Sequence, residues 1–129
     1  MHHSNKIYIS GNVPSSKNSK MWTGRMLISS KTVRKYIAAT EYDWMANKSK
    51  FLTMIDGLEK PYKIHFKFIR DSKRRFDYIN ALQCPLDLMV KNGYLEDDNA
   101  DNVIPVIEPY EYKKGEGGLI LSVKKEGIV

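Results

Sequence analysis

Apolar and polar positions along the chain divide it into a short series of elements. KIYISGN, residues 6–12, alternates and predicts a first strand. The next eighteen residues are rich in Ser, Lys, Asn and Gly and read as a loop, with room for a small hairpin around Thr23–Gly24. From residue 31 the period lengthens to that of a helix reaching about residue 55. Ser29 or Ser30 would cap it, Gly57 would stop it, and Asn47–Ser49 is a candidate interruption. Val33, Tyr36, Ile37, Trp44, Phe51, Leu52 and Ile55 are its expected buried side. Pro61 precedes a strand, 62–70, with Ile64, Phe66 and Phe68 on one face.

A second helical pattern opens at Asp77, a good N-cap, and closes at Gly93, a good C′ residue. Ile79, Leu82, Leu86, Met89 and Val90 form its apolar stripe, and Asn80, Gln83 and Asp87 a polar one. Pro85 predicts a kink or a restart. Residues 102–112 look extended, but Pro105 and Pro109 restrict them to an edge or a broken strand. LILSVKK, 119–125, is the closing strand, expected to form a hairpin with the segment before it. The order β, α, β, α, β, β predicts one α/β (α+β) domain over residues 1–129: a mixed sheet with two main helices packed on it.

Composition narrows this picture little. Fourteen aromatics and 42% hydrophobic residues suffice for a core. No apolar run approaches the ~20 residues that cross a bilayer, and the N-terminus does not read as a secretory signal. The lone Cys84 excludes an internal disulfide and fits packing better than reactivity, so the expected setting is cytoplasmic. Charge is more informative. Residues 1–75 hold 16 Lys and Arg against 5 Asp and Glu, whereas residues 76–129 hold 5 against 10. A cationic surface beside an acidic centre suits nucleic acid.

The chemistry concentrates in RRFDYINALQCPLDLMVKNGYLEDDN, residues 74–99. Arg74 and Arg75 adjoin Asp77, and a second acidic group, Glu96, Asp97 and Asp98, follows the helix. Carboxylate oxygens suit Mg²⁺ and cations suit phosphates. Lys17, Lys20 and Arg25 around Trp22, with Lys73, Arg74 and Arg75, are the expected DNA-binding residues. The plain alternative is that Asp77 only caps a helix and that residues 95–99 form a solvated turn.

In order along the chain, Gly11, Pro14, Lys17 and Asn18, then Arg74, Arg75, Asp77 and Asn80, then Asp87, then Gly93, Asp97 and Asp98, resemble the RusA family of Holliday junction resolvases. The resemblance spans nearly the whole chain. It implies a homodimeric endonuclease, dependent on Mg²⁺ (or Mn²⁺), that cuts branched double-stranded DNA in recombination and repair. Asp77 and Asp98 would hold the metal, Asp97 would be their catalytic neighbour, and Asn80, Gln83 and Asp87 would support them. Two positions depart from the family pattern: Ile79 stands where a second aspartate is expected and Gln83 where a lysine is. The competing expectation is therefore a branched-DNA-binding module that has the fold without the cleavage.

Overall fold

A computed structural model of the protein describes residues 5–15, 20–22 and 27–124; residues 20–22 and 27–29 are described by their backbone alone. Among the described residues seven strands and two helices follow one another as β1 (Lys6–Ser10), β2 (Lys20–Trp22), β3 (Leu27–Ser29), α1 (Lys31–Ile55), β4 (Tyr62–Arg70), α2 (Tyr78–Lys91), β5 (Val103–Ile107), β6 (Glu111–Tyr112) and β7 (Gly118–Ser122). Strands β2 and β3 pair antiparallel, as the expected small hairpin requires; its turn at Thr23–Gly24 lies outside the described residues. The others form one mixed sheet in the order β1-β7-β4-β5, with β6 also on β4.

The period-two pattern of β4 sets the inner face. Ile64, Phe66 and Phe68 are fully buried, as are Ile9 on β1 and Leu119 and Leu121 on β7. Both crossovers, β1 to β4 through α1 and β4 to β5 through α2, advance in the same direction across the sheet. The usual right-handedness of such connections puts both helices on one face. The result is a single two-layer α+β domain with the core between the layers.

Helix α1 runs through Asn47–Ser49 without interruption and begins at the Ser30 cap, whose Oγ accepts the Val33 N–H. Its buried side includes Thr40 and Met54, whereas Leu52, expected inside, is 40% exposed. Trp44 anchors the helix. Its indole N–H donates to Thr40 Oγ1 at 3.2 Å and its carbonyl accepts the Tyr94 hydroxyl at 2.6 Å. The rings of Trp44 and Tyr94 meet edge to face, 5.4 Å apart. Trp44→Ala is expected to cost about 3–5 kcal/mol, because a rigid two-helix contact cannot collapse into the space left. Denaturant unfolding with an unchanged m-value checks this; a shift below ~1 kcal/mol would show that the site repacks.

Helix α1 also covers the β1 edge, where Asp43 Oδ2 accepts from both the backbone N–H and the hydroxyl of Ser10. Helix α2 carries the Asp77 cap, with Oδ1 accepting the Ile79 N–H at 2.9 Å, and continues through Pro85 as one element. Gly93 ends it with φ +79°, a conformation that glycine adopts without steric cost. Cys84 is packed as expected, and burial pushes its thiol up to about 12. His65 sits in β4 and bonds Glu108 at 2.6 Å, which holds the Glu108 carboxyl below its ordinary value.

The expected terminal hairpin does not form. β7 pairs antiparallel with both β1 and β4, while β5 and β6 lie parallel on the opposite side of β4. Proline explains the choice. Pro105 has no N–H and Pro109 breaks the strand, so this segment can line only one neighbour. Phe66 and Arg70 carbonyls catch the Glu108 and Lys113 N–H groups on either side of the break. The proline-free β7 takes the doubly paired interior position.

Candidate nucleic-acid interface

The C-terminal end of β4 opens into a cleft of about 780 Å³. Its floor is Arg70 and Phe76, and its rim is Ser72, Arg74, Arg75, Asp77 and Asn80. The facing wall is the loop after β1, Asn12 to Ser15, together with Thr32 from the first turn of α1. That loop is held from two sides. Asn12 Oδ1 accepts the Asp71 N–H at 3.1 Å, and the Val13 carbonyl accepts from Arg70 Nη1 at 2.6 Å. A glycine is required at 117, where a Cβ would lie 2.8 Å from the Asn12 backbone nitrogen. Of the Gly11–Pro14 pattern, Pro14 lies in this wall and Gly11, at φ +98°, immediately precedes it.

Arg70 continues the inward series Ile64, Phe66, Phe68 and is only 7% exposed. Its guanidinium lies 4.5 Å from the centre of the Phe76 ring. Burial lowers its pKa and Asp71 opposes that shift; a guanidinium remains charged nonetheless. Arg74 and Arg75 are exposed above it. The first turns of α1 and α2 also contribute to the cleft, and neither contains an acid. Helix N-termini present unpaired N–H groups and a partial positive charge. Three arginines and two such termini outweigh the one carboxylate of the lining, Asp77, and give the cleft a chemistry suited to an oxygen-rich anion.

The structure separates the two acidic groups. Asp77 is at the start of α2, on the cleft rim. Asp97 and Asp98 come after its end, in a turn where Asn99 O accepts the Asn102 and Val103 N–H groups before β5 begins beside Tyr62. Lys60, just before β4, pairs with Glu96 at 3.0 Å and marks the same end of the sheet. The fourteen residues of α2 span about 21 Å at 1.5 Å per residue. A crossover helix between parallel strands has to begin at one end of the sheet and finish at the other. The expected meeting of Asp77 with Asp98 therefore does not occur within one chain, and among the described residues no three His, Cys, Asp or Glu side chains gather as metal ligands. The donors are chemically suited to a hard cation, but a single chain does not assemble them.

The two aspartates of the turn differ. Asp97 spends both oxygens locally, on the Asp98 N–H and the Asn99 amide. Asp98 is exposed, and its carboxylate makes no bond among the described residues. Gln83 and Asp87 do not line the cleft; they follow Asn80 down the exposed side of α2. Lys73 is exposed but turned to the Tyr112 ring, 5.4 Å from its centre. Lys17 and Arg25 lie outside the described residues, and only the backbone of Lys20 is described.

Sequence reasoning passed over Arg70, Asn12, Ser15 and Thr32. For Arg70 a signal existed: extending the alternation of residues 64, 66 and 68 by one step puts residue 70 on the inner face. No local pattern marks the others, which come to the cleft only through tertiary packing. Among the described residues no helix is long and apolar enough to cross a membrane. No protein-family model matches the chain, and no curated protein does.

Proposed function

We propose that the protein binds the phosphodiester backbone of branched double-stranded DNA in the Arg70–Arg75 cleft, and that it cuts that backbone as a two-fold homodimer. The observation that supports binding is the convergence of Arg70, Arg74, Arg75 and two helix N-termini on one open cleft. Such a site recognises phosphate whatever the base sequence, which suits recognition by shape.

Cleavage needs carboxylates that one chain keeps apart. A two-fold axis that sets α2 antiparallel to its copy reverses the helix ends, so the Asp98 of each chain approaches the Asp77 of the other. Opposite charge favours that arrangement, because the acidic turn at the end of α2 then meets Arg74 and Arg75 at the start of its copy. Mg²⁺ held there would supply positive charge to the phosphate and activation of a water. The protein's own groups do the rest. Arg74 and Arg75 hold the non-bridging oxygens, Asn80 fixes the phosphate from the first turn of α2, and Asp77 is kept in orientation by its cap bond.

The second reading, a module that binds without cutting, is favoured by one feature. Ile79, 64% exposed beside Asp77, places a hydrocarbon where the resemblance calls for a carboxylate. A synthetic four-way junction with Mg²⁺, Mn²⁺ or a chelator separates the readings. Paired metal-dependent nicks near the crossover are expected; tight binding with no nick in either metal would leave the module. Arg74→Ala and Arg75→Ala are each expected to lower the slope of log affinity against log salt by roughly 0.9. Failure of the wild-type protein to bind junction or duplex at about 50 mM salt would end both readings.

A further inference from the structure

Beyond the cleft, on its β6 side, lies a pair of half-exposed tyrosines, Tyr110 and Tyr112. Tyr110, just before β6, and Tyr112, its last residue, are 49% and 40% exposed and flank Glu111. Register places Tyr112 beside Arg70, the residue at the floor of the cleft. The pair is anchored to the start of α2. The Tyr110 N–H donates to the Tyr78 hydroxyl at 3.0 Å, and the Tyr110 ring meets Phe76 edge to face, 4.9 Å away. Phe76 in turn lies under the Arg70 guanidinium. A line of contacts thus runs from a buried cation through a cleft-lining ring to the exposed Tyr110 phenol; Tyr112, two residues on, has the Lys73 ammonium over its ring, 5.4 Å from the centre.

We propose that Tyr110 and Tyr112 form a stacking site for an unpaired nucleobase whose phosphate sits in the cleft. This rests on the phosphate-binding reading and adds a substrate class: DNA with an unpaired nucleotide at the branch point. A duplex base keeps both faces stacked on its neighbours and must be extruded before it can use such a shelf. An unpaired base carries a free face and pays little of that cost. Every base has that face, so the site selects structure and tolerates sequence. Lys73, over one face of the Tyr112 ring, leaves the base the other face and adds a cation for a neighbouring phosphate of the same strand.

The test places an adenine analogue, whose fluorescence falls on stacking, either unpaired at the crossover of a four-way junction or paired within an arm. Quenching by the wild-type protein is expected at the crossover alone. Tyr112→Ala is expected to abolish it and to weaken binding of the unpaired junction about 5- to 30-fold, leaving intact duplex binding as it was. Tyr112→Phe should restore both, since the ring and not the hydroxyl does the stacking. Tyr110→Phe and Tyr110→Ala repeat the comparison, with thermal melts reporting whether loss of the Phe76 contact disturbs the fold. Junction binding with the expected salt slope but no quenching at the crossover would overturn the shelf and leave the cleft intact. Equal losses on duplex and junction in Tyr112→Ala would overturn it too. Absence of any DNA binding by the wild type would remove cleft and shelf together.

Discussion

Mixed Asp77→Asn and Asp98→Asn chains are expected to regain junction nicking that neither variant performs alone. The reason is the distance enforced by α2. If each metal site combines Asp77 of one chain with Asp98 of the other, either homodimer lacks a ligand in both sites. A mixed dimer collects the two asparagines in one site and leaves the other with both aspartates. The single variants should lose about 100-fold or more in cleavage rate, since an unheld cation forfeits several kcal/mol of charge stabilisation. The mixture should then cut one strand per junction and not two. Asparagine is chosen because it caps a helix as well as aspartate does. The bond from Ile79 N–H to residue 77 survives, and stability should not change. Thermal melts and strand-specific gels read the two effects separately. An inactive mixture beside an active wild type would show that the sites are not shared between chains.

Arg70→Ala is expected to damage stability and binding at once. Removing the guanidinium strands the buried Val13 carbonyl, at about 1–3 kcal/mol. It also deletes the contact with Phe76, at roughly 0.5–2 kcal/mol. Part of this is returned, because a buried cation no longer has to be desolvated. A net destabilisation of about 1–4 kcal/mol follows, with release of the Asn12–Ser15 wall and a fall in DNA affinity. Arg70→Lys should not rescue it, since an ammonium on a flexible stem lacks the planar fork that reaches Val13 while lying over Phe76. Denaturant unfolding and fluorescence anisotropy with duplex DNA measure the pair. Wild-type behaviour in both assays would mean that Arg70 holds neither the wall nor a phosphate.

Elements whose signal is short-range were legible in the chain itself. Helix α1 falls on Lys31–Ile55 and strand β4 on Tyr62–Arg70, because periodicity, caps and a stop signal agree there. The Asp77 cap and the Gly93 terminus are equally local. So is the confinement of the Pro105 segment to an edge, which follows from one missing N–H. The basic run of residues 73–75 and the acidic run of residues 96–98 could be read as charge, and each suggested its chemistry.

What sequence alone could not supply was distance between segments far apart in the chain. Sequence spacing placed Asp77 and Asp98 on either side of one helix, which is compatible with a loop that folds back or with one that leads away. Parallel pairing of β5 with β4 decides between them, since it obliges α2 to carry the chain from one end of the sheet to the other. The same pairing fills one side of β4 and leaves β7 the other, against the simpler hairpin. Arg70, Asn12 and Thr32, distant in sequence, meet only because the sheet and both helices are already packed. Local free energies choose the elements; the sum of many long-range contacts chooses which of their ends come together.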